Sequence, residues 1–227
     1  MGEATYGVRS HTFVLVLCGD DDRWRNLEES RKKQIMVSGL QTANPASRSG
    51  EGLRHNVATK EPLIPFSKYD VDHVIADIDV IRKYNPQRYE IEQLTAVVFE
   101  DFDAKSIVGY ADTSMDDFWV RGHMPGLPLM PGVLMCEAAA QLASYFVQKY
   151  DMMGCEMMGF GGMDGVRFRG AVRPGDRLVI QCQQKRARRG ALVLCDFMGF
   201  VNENLVVEGS IRGIPLPADA LREMSPS

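Results

Sequence analysis

Apolar and polar positions fall into regular blocks from about residue 62 onward, and each block predicts an element. Asp77 to Lys83 reads as a short helix with apolar Ile78, Val80 and Ile81, closed before Pro86. Leu94 to Glu100 and Ser106 to Ala111 read as strands. Pro131 to Tyr150 carries the richest helix signal, with proline at the first turn and no internal proline. Val133, Leu134, Ala138, Ala139, Leu142, Ala143, Phe146 and Val147 make that helix apolar on most faces, which predicts burial. Strand-like runs follow at Gly165 to Val172, Asp176 to Lys185, Ala191 to Val201 and Leu205 to Gly213. Pro174-Gly175-Asp176 and Asn202-Glu203-Asn204 supply turn chemistry between them. One long buried helix with antiparallel strands predicts an α+β domain whose sheet curls around the helix.

Upstream the pattern is different. One strand-like run, Thr12 to Leu17, precedes a charged stretch from Asp20 to Lys33. Thr42 to Thr59 is rich in Ser, Gly, Asn and Ala, and Asn44 to Gly52 reads as a linker. The division is therefore 1–61 as an extension and linker without an assigned role, 62–217 as the α+β domain, and 218–227 as a tail. The six-residue apolar run Phe13 to Cys18 is too short for a signal peptide or a membrane span. A soluble, cytoplasmic protein is expected.

Composition narrows the function classes. With 45% hydrophobic and 25% charged residues in 227, disordered and low-complexity classes drop out. A net charge of −4 argues against bulk attraction to nucleic acid or an anionic membrane surface. Five cysteines without a C-x-x-C pair predict reduced thiols and neither a disulfide framework nor a metal site. No P-loop, G-x-S-x-G elbow or H-E-x-x-H is present.

The chemistry concentrates in Gly122-His123-Met124-Pro125-Gly126-Leu127-Pro128-Leu129-Met130-Pro131-Gly132-Val133-Leu134-Met135-Cys136-Glu137. Prolines and glycines fix the loop that carries His123, as an oriented general base requires. The loop feeds the start of the buried helix, whose unpaired N–H groups and dipole suit a developing oxyanion. Glu137 sits on a mostly apolar helix, a setting that favours a protonated, donating carboxyl. Glu137, Gln141, Ser144 and Gln148 form one polar stripe, which in isolation is more often a solvated helix face.

This stretch closely resembles the signature of the β-hydroxyacyl-acyl-carrier-protein dehydratases of FabZ type, G-H-F-P-G-x-P-x-x-P-G-V-x-x-x-E-x-x-x-Q. It matches at Gly122, His123, Pro125, Gly126, Pro128, Pro131, Gly132, Val133, Glu137 and Gln141, with Met124 in place of the aromatic. Gly165-Val166-Arg167-Phe168-Arg169 and Val172-Arg173-Pro174-Gly175-Asp176 resemble a second family block, so the likeness covers about residues 75–213. The resemblance implies a hotdog fold, a homodimer that can assemble further into a trimer of dimers, and a site shared between two chains. It implies that His123 abstracts the α-proton of a 3-hydroxyacyl thioester and that Glu137 of the partner protonates the departing hydroxyl. The Gly132 N–H would hold the thioester oxygen, the Leu129 carbonyl would orient His123, and Gln141 would support Glu137. No cofactor is implied, and acyl carrier protein is the implied partner.

Two departures from the family pattern stand out. The segment that reads L-P-H-R-Y-P in the family is Asn85-Pro86-Gln87-Arg88-Tyr89-Glu90 here, and Gly170-Ala171 replaces R-P. The basic run Lys185, Arg186, Arg188 and Arg189 reads as a solvated hairpin tip, or as a docking patch for an acidic carrier. Arg167, Arg169 and Arg173 are further docking candidates. Among the methionines after the helix, core filling is the expectation, with Met157 or Phe160 bordering an acyl tunnel. Fatty-acid dehydration is the leading reading. A hotdog acyl thioesterase and a non-catalytic acyl- or carrier-binding protein are the rivals.

Overall fold

The computed structural model describes residues 60–217; the Thr12–Leu17 run, the Asn44–Gly52 linker, Cys18 and the 218–227 tail lie outside the described residues. Six strands form one antiparallel sheet: β1 (Ala96–Asp101), β2 (Ser106–Asp112), β3 (Met158–Phe168), β4 (Arg177–Arg188), β5 (Leu192–Val201) and β6 (Asn204–Pro215). Their order across the sheet is β1-β2-β4-β5-β6-β3. Helix α1 (Ile78–Ile81) is a single turn, started by the Asp77 carboxylate accepting from the Val80 N–H at 3.0 Å. Helix α2 (Gly132–Lys149) is the long one, with Pro131 at its N-cap.

The apolar surface of α2 explains its place. Leu134, Ala138, Leu142, Tyr145 and Phe146 are buried against Ile107, Ile180, Phe197 and Ile211 from four strands. This is the hotdog arrangement, a helix wrapped by a curled sheet. A second, smaller cluster lies on the outer face, where Leu63, Ile64 and Tyr69 cover Val98, Val108 and Tyr110. Gln181, fully buried there, accepts from the Ile64 N–H at 3.0 Å and donates to the Ile64 carbonyl at 2.7 Å. One side chain thus satisfies both backbone groups of the covering segment, as burial demands. No described helix is long and apolar enough to cross a membrane.

The strand pattern departs from the sequence reading at one element. The Gly165–Val172 run predicts a strand, whereas β3 starts at Met158 and stops at Phe168. β3 pairs only with β6, is largely exposed, and carries irregularities at Phe160/Gly162 and Asp164/Arg167. A glycine-rich, bulged edge strand shows no alternation, so the periodic signal starts too late. Past Phe168, Arg169 and Gly170 still donate their N–H groups to the Val206 carbonyl, and Val172 accepts from the Met130 N–H at 2.8 Å. That bond ties the end of β3 to the His123 loop.

Candidate active site

The loop between β2 and α2 is closed on itself. Buried Trp119 accepts from the His123 N–H at 2.7 Å, and Leu129 donates its N–H to the His123 carbonyl at 2.8 Å. Met124 and Leu127 exchange backbone hydrogen bonds around Pro125-Gly126, and Gly126 has φ +78°. Proline followed by a positive-φ glycine is the type II turn pattern, so glycine at 126 lets the loop close without strain. The His123–Met124 peptide bond is cis.

His123 Nδ1 lies 2.8 Å from the Leu129 carbonyl oxygen. A carbonyl only accepts, so Nδ1 carries the proton and Nε2 is left as the basic nitrogen. The His123 ring is exposed at a cavity of about 510 Å³ lined by Leu129, Gly132, Val133, Phe168 and Gly170. The α2 N-terminus opens into this cavity. Pro131 supplies no side-chain cap, and the first-turn N–H groups of an α-helix have no partner within it. A Cβ on Gly132 would lie 2.7 Å from the Phe168 ring, so glycine is what lets that ring pack over the helix start.

Glu137 sits one and a half turns further along α2 and faces a different cavity. That cavity, about 90 Å³, is lined by Gln87, Ala140, Ser144, Met158, Phe160 and further residues of β5 and β6. It shares no lining residue with the His123 cavity. One chain therefore does not bring His123 and Glu137 to one pocket.

Gln141 is 2% exposed and is the centre of a polar network. Its Nε2 donates to Glu137 Oε1 at 2.8 Å and to the Ile91 carbonyl at 2.7 Å, while its Oε1 accepts from the Gln93 N–H at 2.9 Å. Its own carbonyl accepts from buried Asn85 Nδ2 at 2.9 Å. The expected polar stripe is thus divided: Glu137, Ser144 and Gln148 are half-buried, while Gln141 points into the protein. The sequence reading singled out Asn85 to Glu90 as a departure from the family pattern without giving Asn85, Gln87 or Arg88 a role, and it passed over Gln93. Their signal was three amides within nine residues of an otherwise exposed segment.

The basic run sits on the β4–β5 hairpin at the far end of α2 from His123 of the same chain, where Gly190 donates its N–H to the Met153 carbonyl. Lys185 is paired with Asp196 at 3.6 Å, and Arg189 with Asp151 at 2.8 Å. Arg186 and Arg188 have no ion pair among the described residues. Arg169 is committed elsewhere, bound to buried Glu208, which also pairs with Lys60 at 2.5 Å. Burial would raise the Glu208 carboxyl, but Lys60 and Arg169 hold it below the usual carboxylate range. Of the methionines after α2, Met153 is fully buried, Met158 lines the Glu137 cavity beside Phe160, and Met163 is exposed. Burial pushes the Cys136 thiol, next to Glu137, up to about 11, so it stays protonated at neutral pH. The described residues hold no group of His, Cys, Asp and Glu side chains suited to a metal ion.

Residues 85–210 match the model of the FabA-like domain family. Over 137 residues the chain is 34% identical to the 3-hydroxyacyl-[acyl-carrier-protein] dehydratase FabZ of Desulfotalea psychrophila, covering 60% of this chain and 90% of the relative. Over 139 residues it is 37% identical to the enzyme of the same name from Teredinibacter turnerae, covering 60% of this chain and 93% of the relative. Among solved structures, the dehydratase heterocomplex ApeI:P from Xenorhabdus doucetiae aligns with a TM-score of 0.51 at 16% identity. It covers 63% of this chain and 95% of that chain, a likeness of fold.

Proposed function

The chain belongs to the FabA-like domain family, and on that footing we propose that it is a hydro-lyase of fatty acid biosynthesis that converts 3-hydroxyacyl-[acyl-carrier-protein] to the trans-2-enoyl thioester. His123 Nε2 takes the α-proton, with Nδ1 held by the Leu129 carbonyl. The Gly132 N–H at the α2 N-terminus stabilises the thioester oxygen as the enolate forms. Glu137, held by Gln141, protonates the 3-hydroxyl, which leaves as water.

The observation that carries the shared site is the separation of the two cavities. His123 and Glu137 lie in pockets with no common lining, and the Glu137 pocket of about 90 Å³ is far below the ~300 Å³ of an ordinary ligand site. Both are completed by a second copy of the chain, so His123 of one protomer works with Glu137 of the partner subunit. Exposed Val133, Phe160 and Phe168 beside these cavities, and the open edge of β3, supply the surface for that contact. The carrier docks on the β4–β5 hairpin, where Arg186 and Arg188 are available for an acidic partner.

Dehydration of a 3-hydroxyacyl-carrier-protein is followed by enoyl-thioester absorbance alongside thiol release. Enoyl formation that disappears in His123→Ala, without thiol release, is the expected result. Thiol release in its place would make the protein a thioesterase.

A further inference from the structure

Phe168 lines the His123 cavity and its ring lies against the start of α2. A Cβ built on Gly132 would stand 2.7 Å from the ring's Cε1, 2.8 Å from Cζ and 3.0 Å from Cδ1. By itself β3 is poorly suited to hold the ring there. It is an edge strand paired only with β6, and beyond the irregularity between Asp164 and Arg167 only Arg167↔Glu208 and Phe168↔Val207 remain as pairs. The strand end is gripped by the next residue instead. Arg169 donates from both Nε, at 2.8 Å, and Nη2 to Glu208 Oε1, while Lys60 closes on Glu208 Oε2 at 2.5 Å. The Arg169 and Gly170 N–H groups share the Val206 carbonyl at 2.7 and 3.2 Å. Gly170 approaches Val206 so closely that a Cβ would stand 2.9 Å from its Cγ1.

Glu208 is 3% exposed, and a carboxylate taken out of water is costly even when two cations flank it. What the cluster supplies in return is a fixed geometry at the one place where an irregular edge strand borders the site. We infer that Arg169 and Glu208 are positioning residues for the dehydration, which hold Phe168 as a roof over the oxyanion donor at Gly132. The inference rests on the dehydratase reading above. The ring covers the thioester oxygen at the Gly132 N–H and keeps water from it, which strengthens that hydrogen bond as charge builds on the oxygen. Lys60 lies outside residues 85–210, the span that matches the family model, yet it belongs to the same clamp. Part of the grip on the site therefore comes from the segment ahead of the matched domain.

Two readouts separate positioning from folding. Turnover is measured on a 3-hydroxyacyl-pantetheine, which takes carrier docking out of the comparison. The carbonyl stretch of a saturated acyl-pantetheine, isotope-labelled at that carbon and bound to each protein, is recorded by infrared difference spectroscopy. Arg169→Gln and Phe168→Leu are each expected to lower kcat about tenfold with little change in KM, and to move the bound carbonyl band towards its position in water. The double variant is expected to lose no more than either alone, because both act through one ring. Arg169→Lys keeps a cation against Glu208, so it is expected to recover part of the loss, and it carries the test if Arg169→Gln does not fold. Phe168→Leu keeps an apolar side chain at the proposed contact between copies, and the oligomeric state of each variant is measured beside its activity. Additive losses, or a lower kcat with an unmoved carbonyl band, would mean that the clamp supports the fold and not the oxyanion donor. Unchanged turnover in the Arg169 variants would mean that the ring needs no clamp. Each overturns the inference while wild-type dehydration stands. Absence of enoyl formation by the wild type would instead overturn the dehydratase reading beneath it.

Discussion

At the scale of single residues the site is built from backbone groups as much as from side chains. The Leu129 carbonyl fixes the His123 tautomer, and the α2 terminus, without a side-chain cap, is the proposed oxyanion donor. His123→Ala should lower kcat by about 10²–10⁴-fold with little change in thermal stability, because the ring is exposed and its loop is held by backbone bonds. A steady-state assay paired with a melting curve checks both halves. Gln141 is a positioning residue of greater structural weight, since it serves Glu137, Ile91 and Gln93 together. Gln141→Leu should lower both activity and stability, the latter by about 1–3 kcal/mol through the buried groups left unpaired. Activity that falls without any loss of stability would contradict that double duty.

Among elements, the segment ahead of α1 is held to the outer face of the sheet by polar groups inside an apolar cluster. Gln181→Leu leaves the Ile64 N–H and carbonyl without partners, and should cost about 2 kcal/mol in urea unfolding while dehydration proceeds as before. Glu208 beneath Lys60 and Arg169 gives that face a pH dependence. Its folded pKa lies below its unfolded value of about 4.3, so its contribution is complete above that pH and lost as pH falls through the folded value. The stability gap between wild type and Glu208→Gln should therefore be full at neutral pH and close on acidification. A gap that widens in acid would reverse the assignment.

For the whole molecule, the proposed shared site would make activity a property of two chains. Mixing His123→Ala with Glu137→Gln should restore roughly a quarter of wild-type activity, because half of the dimers are mixed and each holds one intact site. No recovery after confirmed subunit exchange would place both residues in one chain. On the β4–β5 hairpin, Arg186→Glu with Arg188→Glu should raise KM for the carrier-linked substrate and spare a pantetheine thioester. Equal losses on both substrates would remove the hairpin from docking.

Much of this was legible in the chain itself. The all-round apolar pattern of residues 131–150 requires burial, and the Pro-Gly pairs of the His123 loop dictate their own turn, because both follow from local chemistry. The family signature places His123, Gly132, Glu137 and Gln141 in one motif through sequence spacing alone. Tertiary structure decided the rest. It showed that fourteen residues of spacing put His123, on the loop ahead of α2, and Glu137, on the helix itself, into different cavities. It turned Gln141 inward to hold residues fifty positions away in sequence, and it left Gln87 facing the acid. Contacts between distant segments depend on how the sheet curls around α2, and no local pattern of apolar and polar positions encodes that.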